Sequence, residues 1–185
     1  MKKFLQWGVI ILGIMTFMSF GQQNPEQDFV NKAVMANRFE IAMAQQANER
    51  SSNEAVKAYS QMLIDEHQKV LNELQEYANS KGLTISDQLD QMHQGEVNAL
   101  GELGADAYDK SFRNAAVASH EKSIALYESA GADDAITDTT LKTWISDKLP
   151  SLRTHLTQAQ ELRLDNGGTS MKKLPPIVDS LKMNK

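Results

Sequence analysis

Four stretches of the sequence repeat apolar residues at intervals of three and four, the spacing that gives an α-helix one buried face. In the second stretch, this apolar stripe carries His67 at a position where a leucine is expected. The third stripe carries His120, the fourth carries His155 or its neighbour Leu156, and the first carries Glu40. Polar side chains aimed at one helical core need partners there: each other, a carboxylate, water or a metal ion. The pattern therefore predicts an all-α four-helix bundle with a polar interior.

The ends of the helices follow from capping residues and from residues that break helices. We expect four long helices, with a minor helix between the second and third, over residues 28–48, 53–80, 86–99, 106–129 and 137–164. Gly82 is suited to end the second long helix because glycine readily adopts the left-handed conformation. Pro150 lies inside the last helix, and proline removes one backbone hydrogen bond. We therefore expect a kink or a restart of that helix just before His155.

The N-terminus has the pattern of a secretory signal peptide. Lys2 and Lys3 precede an apolar run over residues 5–20, and small residues stand before a cleavage site at Gln22. The run is short for a membrane span, and an uncleaved anchor is the alternative. We therefore expect a signal peptide over residues 1–21 and a periplasmic or secreted protein with no stable membrane span after cleavage.

The rest of the chain divides into a polar linker over residues 22–27, one bundle domain over 28–165 and a flexible tail over 166–185 that is rich in lysine. Hydrophobic residues make up 41% of the 185 residues, enough for a core. The formal net charge is -5, and an acidic chain without a basic stripe is a poor nucleic-acid binder. The absence of cysteine from the sequence excludes disulfides, thiolate metal sites and cysteine nucleophiles.

Six short motifs along the helices form a further pattern. In chain order they are MLIDEH at 62–67, NEL at 72–74, YD at 108–109, ASH at 118–120, YE at 127–128 and LPSLRTHL at 149–156. Over residues 28–162 the chain resembles a bacterial envelope family known as a domain of unknown function, family 4142. Members often carry Asp-His in both middle helices, where this chain has Glu66-His67 and Ser119-His120. The resemblance implies a ferritin-like up-down four-helix bundle and export, and the family has no settled activity.

The polar residues of the stripes allow two interpretations. As a metal site, Glu40, Glu66, His67, His120 and His155 would supply carboxylate and imidazole ligands suited to Fe, Mn, Zn or Cu. The Glu-x-x-His motif of di-iron bundles is missing at all three histidines, which argues against a two-metal centre. As a structural polar layer, Glu40 or Glu66 would accept a hydrogen bond from His67, and His120 would pair with His155. Such a layer would fix the register of the helices.

The sequence contains no nucleophile elbow and no glycine-rich phosphate loop, so no catalytic residue is assigned and an enzyme is not favoured. We expect an exported non-enzymatic envelope protein, a stress- or assembly-related binding module whose partner is another envelope protein or a second copy. The alternative is a ferritin-like bundle that binds a transition metal as its cofactor.

The two interpretations of the polar residues also predict different responses to acid. Buried neutral histidines would make the bundle lose stability when they are protonated, at about pH 5 to 6. Histidines paired with carboxylates would keep the bundle stable until the carboxylates are protonated at lower pH.

Overall fold

The computed structural model describes residues 24–164. Its five helices are α1 Pro25–Arg50, α2 Glu54–Lys81, α3 Gln91–Gly101, α4 Ala105–Ala132 and α5 Thr139–Gln160. The predicted all-α class, with four long helices and a short one between the second and third, is confirmed. No helix in this part of the chain is apolar over a length that could cross a membrane. The predicted signal peptide and C-terminal tail lie outside the described residues.

Side-chain caps set the starts of three long helices, at Asn24, Asn53 and Asp138. The side chain of Asn24 accepts hydrogen bonds from the backbone N–H groups of Glu26 and Gln27. Pro25 occupies the first turn, where its missing N–H leaves no hydrogen bond unmade. The prediction that residues 22–27 form a linker is therefore wrong from Pro25 onward, because the Asn-Pro pair starts α1 three residues earlier than expected.

α5 continues through Pro150 to Gln160, so the predicted restart before His155 is wrong. Proline removes a single N–H from the helix. The flanking turns are anchored in the core by the buried side chains of Ile145 and Leu152. The carbonyl of Pro150 also accepts a hydrogen bond from the Thr154 hydroxyl at 2.9 Å. Packing on both sides therefore carries the helix past the proline.

The segment that joins α2 to α4, which includes α3, runs along the full length of α1. Gln27, near the start of α1, bonds to the backbone of Thr84, and Arg50, at its end, donates to the carbonyl of Leu103. This crossover brings the chain back to the other end of the bundle before α4 begins. α4 is therefore parallel to α2 and antiparallel to α1 and α5. Two antiparallel pairs joined by one long crossover have the ferritin-like connectivity.

A polar layer divides the core into two apolar clusters, one toward each end of the bundle. The first cluster includes Phe29, Val30, Leu74, Tyr127, Leu141 and Ile145. The second includes Met43, Val56, Leu63, Tyr108, Phe112 and Ala159. Along α2, α4 and α5, the buried histidine of the stripe lies between the members of the two clusters: His67, His120 and His155. On α1, Glu40 lies at the same level, with its Oε1 3.4 Å from Nδ1 of His120. The four polar residues therefore share one level of the bundle.

The end of α2 provides a test of local conformation. Gly82 has φ 66° and ψ 25°, the left-handed conformation that was expected of it. Gly82→Ala is expected to destabilise the protein by about 1 kcal/mol because a Cβ is unfavourable at positive φ. Gly95→Ala, inside α3 and with no atom within 4 Å of the added methyl, is the matched control and should gain up to about 1 kcal/mol. Urea unfolding of both variants measures the difference, and a shift of the same sign in both would contradict this account.

Candidate functional site

Three histidine rings meet in the polar layer. His67 comes from α2, His120 from α4 and His155 from α5. The ring centroids of His67 and His120 are 5.5 Å apart, and the other two pairs are each 5.4 Å apart. None of the three residues is more than 4% exposed. This histidine triad therefore forms a nearly equilateral triangle that is shielded from solvent.

The outer nitrogen of His67 bonds to an amide whose orientation is fixed. His67 Nδ1 lies 2.8 Å from Oδ1 of Asn37. The Asn37 side-chain amide donates its own N–H to the carbonyl of Ala33 at 2.7 Å, so its oxygen faces the ring. Since that oxygen only accepts, Nδ1 of His67 carries the proton and Nε2 is left with a lone pair.

The other two rings are oriented in the same way by acceptors. His120 Nδ1 lies 2.8 Å from the carbonyl of Ala116, one turn earlier on α4. His155 Nε2 lies 3.4 Å from Oε2 of Glu66 and 3.4 Å from the hydroxyl of Ser151. The carbonyl of Ala116 only accepts, and the Ser151 hydroxyl donates its proton to Glu66 at 3.4 Å and so accepts from His155. Each of these two ring nitrogens therefore carries the proton.

The remaining ring nitrogens have no hydrogen-bond partner among the described residues: Nε2 of His67, Nε2 of His120 and Nδ1 of His155. Each is buried and offers a lone pair. One nitrogen from each ring lies within 4.8 Å of those of the other two, so some point lies within about 2.8 Å of all three. Zinc–imidazole bonds are about 2.0–2.1 Å long, so inward shifts of less than about 1 Å would close the triad on an ion.

Glu40 lies beside the triad and is not one of the three converging groups. It is 1% exposed, and its Oε1 is 3.4 Å from Nδ1 of His120, the nitrogen that bonds to the Ala116 carbonyl. Burial raises the pKa of Glu40, and the nearby His120 offsets only part of that effect. The prediction that Glu40 or Glu66 accepts a hydrogen bond from His67 is wrong, because Asn37 occupies that position.

Glu66 contacts the triad from outside. Its side chain is 31% exposed, and its carboxylate faces the protonated nitrogen of His155. The hydrogen bond from His155 lowers the pKa of Glu66, and partial burial acts in the opposite direction. The predicted pairing of His120 with His155 is also wrong as a hydrogen bond, because the two rings are perpendicular and each donates to an acceptor outside the triad.

The surroundings keep His67 uncharged. Burial lowers its pKa well below the ordinary value of 6.5, and the neighbouring His155 and His120 lower it further. A neutral imidazole is the form that binds transition metals. The buried carboxyl of Glu40 is close enough to balance the charge of a cation placed among the rings. The arrangement is therefore suited to hold a metal ion.

Asn37 and Ser151 were missed from the sequence. Asn37 lies three residues before Glu40 and is 5% exposed, so the buried stripe of α1 passes through Asn37. Asparagine four residues after Ala33 and three before Glu40 was the signal that could have revealed it. Ser151 gave no comparable signal, because a serine one turn before a histidine is common on helix surfaces.

These observations define the protein as an all-helical, ferritin-like bundle with a buried histidine triad. The chain belongs to the family described as Domain of unknown function (DUF4142), whose model matches residues 19–162, so the family resemblance is confirmed. No curated protein matches the chain. It is similar to the crystal structure of a DUF305 fragment from Deinococcus radiodurans, with a TM-score of 0.64 and 12% identity over 74% of this chain and 93% of that one. At this identity, the similarity supports the fold alone.

Proposed function

We propose that the protein binds one divalent transition-metal ion through Nε2 of His67, Nε2 of His120 and Nδ1 of His155. The observation that carries this proposal is that these nitrogens are buried and have no partner among the described residues. A buried polar atom left without a partner costs about 1–3 kcal/mol. In a purely structural layer, the rings would be expected to satisfy one another or the two carboxylates.

The outer hydrogen bonds support the same proposal. Histidine ligands of metals usually donate their second N–H to a carbonyl, an amide or a carboxylate, which fixes the tautomer and the ring orientation. Each ring of the triad has such an acceptor: the Asn37 amide, the Ala116 carbonyl and the Glu66 carboxylate. The free lone pairs are therefore the ones that a bound ion would use.

Zinc is the ion that we expect to fit best. Imidazole suits Zn, Cu, Fe and Ni better than Mg, Ca or Mn. A triangle of three nitrogens matches one face of a tetrahedron, the geometry that Zn²⁺ adopts, whereas Cu²⁺ prefers a planar set. We infer that Glu40 ionises to balance the charge of the bound ion. The fourth position of the tetrahedron remains for water or another ligand.

We also propose that the protein acts after export, in the periplasm or outside the cell, as a binding protein and not as an enzyme. The charged and apolar segments within residues 1–21 support export. N-terminal sequencing of the mature protein is expected to give Gln22 as the first residue. A chain that still begins at Met1 would contradict cleavage.

Metal binding is tested with protein purified without a histidine tag and stripped with a chelator. Titration calorimetry with Zn²⁺, together with elemental analysis, is expected to give one ion per chain. Co²⁺ in the same site should show the intense visible absorption of a tetrahedral complex. His67→Ala and His155→Ala should each abolish saturable binding at the concentrations that fill the wild type.

His93→Ala is the matched control, because His93 lies on α3 outside the triad and bonds to Asp90. This variant should bind Zn²⁺ as the wild type does. Circular dichroism of every variant checks that the helices are retained. Equal binding by the wild type and the triad variants, or weaker binding caused only by His93→Ala, would overturn the proposal.

A further inference from the structure

The triad is enclosed, so a bound ion needs a route from solvent. Glu40, His67, His120 and His155 are all between 0% and 4% exposed. Among the charged groups that contact the triad, the carboxylate of Glu66 is the exposed one, at 31% of its side chain. An exposed carboxylate that touches a buried imidazole is well placed to receive a cation first.

A small cavity connects Glu66 with the interior. It has a volume of about 20 Å³ and is lined by residues that include Glu66, His67, Ser151 and His155. A space of about 10–15 Å³ is enough to hold one water molecule. The cavity therefore has room for a single small ion or a water between the Glu66 carboxylate and two of the three rings.

The backbones of α2 and α5, on either side of this cavity, approach each other less closely than those of α1 and α2 or of α4 and α5. Side chains bridge the gap between them, including Trp144, which donates to Glu73 at 2.6 Å. At the level of the cavity the bridge is made by Ser151 and His155 of α5 with Glu66 of α2, at 3.4 Å in each case. Lys148 also lines the cavity, but its Nζ lies 2.6 Å from Glu73, which neutralises a charge that would repel a cation.

A larger groove on another face is less suited to this role. It has a volume of about 510 Å³ and lies between α1, α3 and α4, but its lining includes neither Glu40 nor any member of the triad. Lys32 and Lys122 also line it, next to Asp90 and Glu96, so its charge is mixed. Of the two, the small cavity is therefore the one lined by candidate ligands, His67 and His155.

We infer that metal ions reach the triad through the gap between α2 and α5, with Glu66 as the group that captures the ion at the surface and passes it to His155. This inference rests on the proposed metal site. A capturing carboxylate raises the rates of binding and of release together, because an ion leaves by the route through which it entered. A carboxylate that only orients His155 would instead slow release and strengthen binding.

Stopped-flow mixing of chelator-stripped protein with Zn²⁺ and a fluorescent zinc indicator tests the route. In Glu66→Gln, the association and dissociation rates should both fall about tenfold, so that Kd changes little. The carboxamide keeps an oxygen to accept from His155, so the ring orientation is preserved. The difference in association rate between the wild type and the variant should shrink at high salt, because salt screens attraction by an exposed charge.

Asp65→Asn is the matched control: it removes the same charge from the adjacent residue, which is exposed on α2 and bonds to Gln61. Its rates should stay within about twofold of the wild type, since the side chain faces away from the triad. Faster release from Glu66→Gln at an unchanged association rate would overturn the route and leave Glu66 as an orienting group. Equal slowing by Glu66→Gln and Asp65→Asn would show that the overall negative charge of this surface, and not the position of Glu66, sets the rates, which would overturn the route. Failure of the wild type to bind Zn²⁺ at all would overturn the proposed function, and the route with it.

Discussion

Replacing His120 and His155 together by leucine is expected to stabilise the metal-free protein by about 1–3 kcal/mol. Each ring has one buried nitrogen without a partner among the described residues, and leucine matches the apolar stripes on both helices. The hydrogen bonds that are lost cost little. The carbonyl of Ala116 keeps its bond within α4, and water can solvate Glu66 because its side chain is 31% exposed.

This double variant distinguishes the two interpretations of the polar layer. His67 and its bond to Asn37 remain. The buried carboxyl of Glu40, 3.4 Å from His120, has no hydrogen bond to lose among the described residues. Zinc binding should disappear, because two of the three ligands are removed. Urea unfolding in the presence of a chelator measures the stability. His93→Leu is the control for the residue type and should change stability by less than about 0.5 kcal/mol. A double variant that is less stable than the wild type would favour a structural role for the histidines.

The convergence of the histidines could be predicted because it depends only on the helical period. Each of His67, His120 and His155 replaces one apolar residue in a stripe, and a four-helix bundle has a single interior for those stripes to face. The position of His155 against its neighbour Leu156 was left open by the sequence. The structure buries His155 and leaves Leu156 half-buried.

The partners of the rings could not be predicted, because they depend on the relative heights of the helices. Asn37 and Glu40 lie on the same face of α1, about one turn apart. A shift of α1 along its axis by one turn relative to α2 would bring the other of the two residues opposite His67. Glu66 follows a different rule: it is next to His67 in sequence but about 100° round the helix. That rotation directs Glu66 toward α5, where it contacts His155. A pattern within one helix cannot show which neighbouring helix lies on that side.

The position of the layer along the bundle also depends on the connectivity. The crossover through α3 sets α4 parallel to α2, so the residues of the two apolar clusters occur in the same order along both helices. With this arrangement, His67 and His120 reach the same level from helices that run in the same direction. The sequence predicted the extra helix but not that the segment containing it, from Thr84 to Leu103, spans the length of the bundle. A short helix gives no signal of its direction.

Glu40→Gln is expected to make the metal-free protein more sensitive to acid than the wild type. The pKa of His67 is well below 6.5 in the folded protein, so below pH 6.5 the unfolded chain binds a proton that the folded protein does not. The free energy of unfolding then decreases by up to about 1.4 kcal/mol for each unit by which the pH is lowered. Glu40 acts in the opposite direction. Because the pKa of Glu40 is raised in the folded protein, the unfolded chain releases a proton above pH 4.5 that the folded protein keeps. The contribution of Glu40 to the free energy of unfolding therefore decreases as pH rises.

Between pH 4.5 and 6.5 these two contributions oppose each other in the wild type, and removing the Glu40 carboxyl leaves the loss from His67 uncompensated. Thermal unfolding with a chelator at stepped pH measures both profiles. Glu66→Gln is the control. Because the pKa of Glu66 is lowered in the folded protein, its contribution to stability is fully present above pH 4.5 and does not change with pH there. The stability of Glu66→Gln should therefore vary with pH as that of the wild type does in this window. Parallel profiles for Glu40→Gln and the wild type would show that Glu40 is ionised in the folded protein. A flat profile for Glu40→Gln would show that His67 is not held neutral.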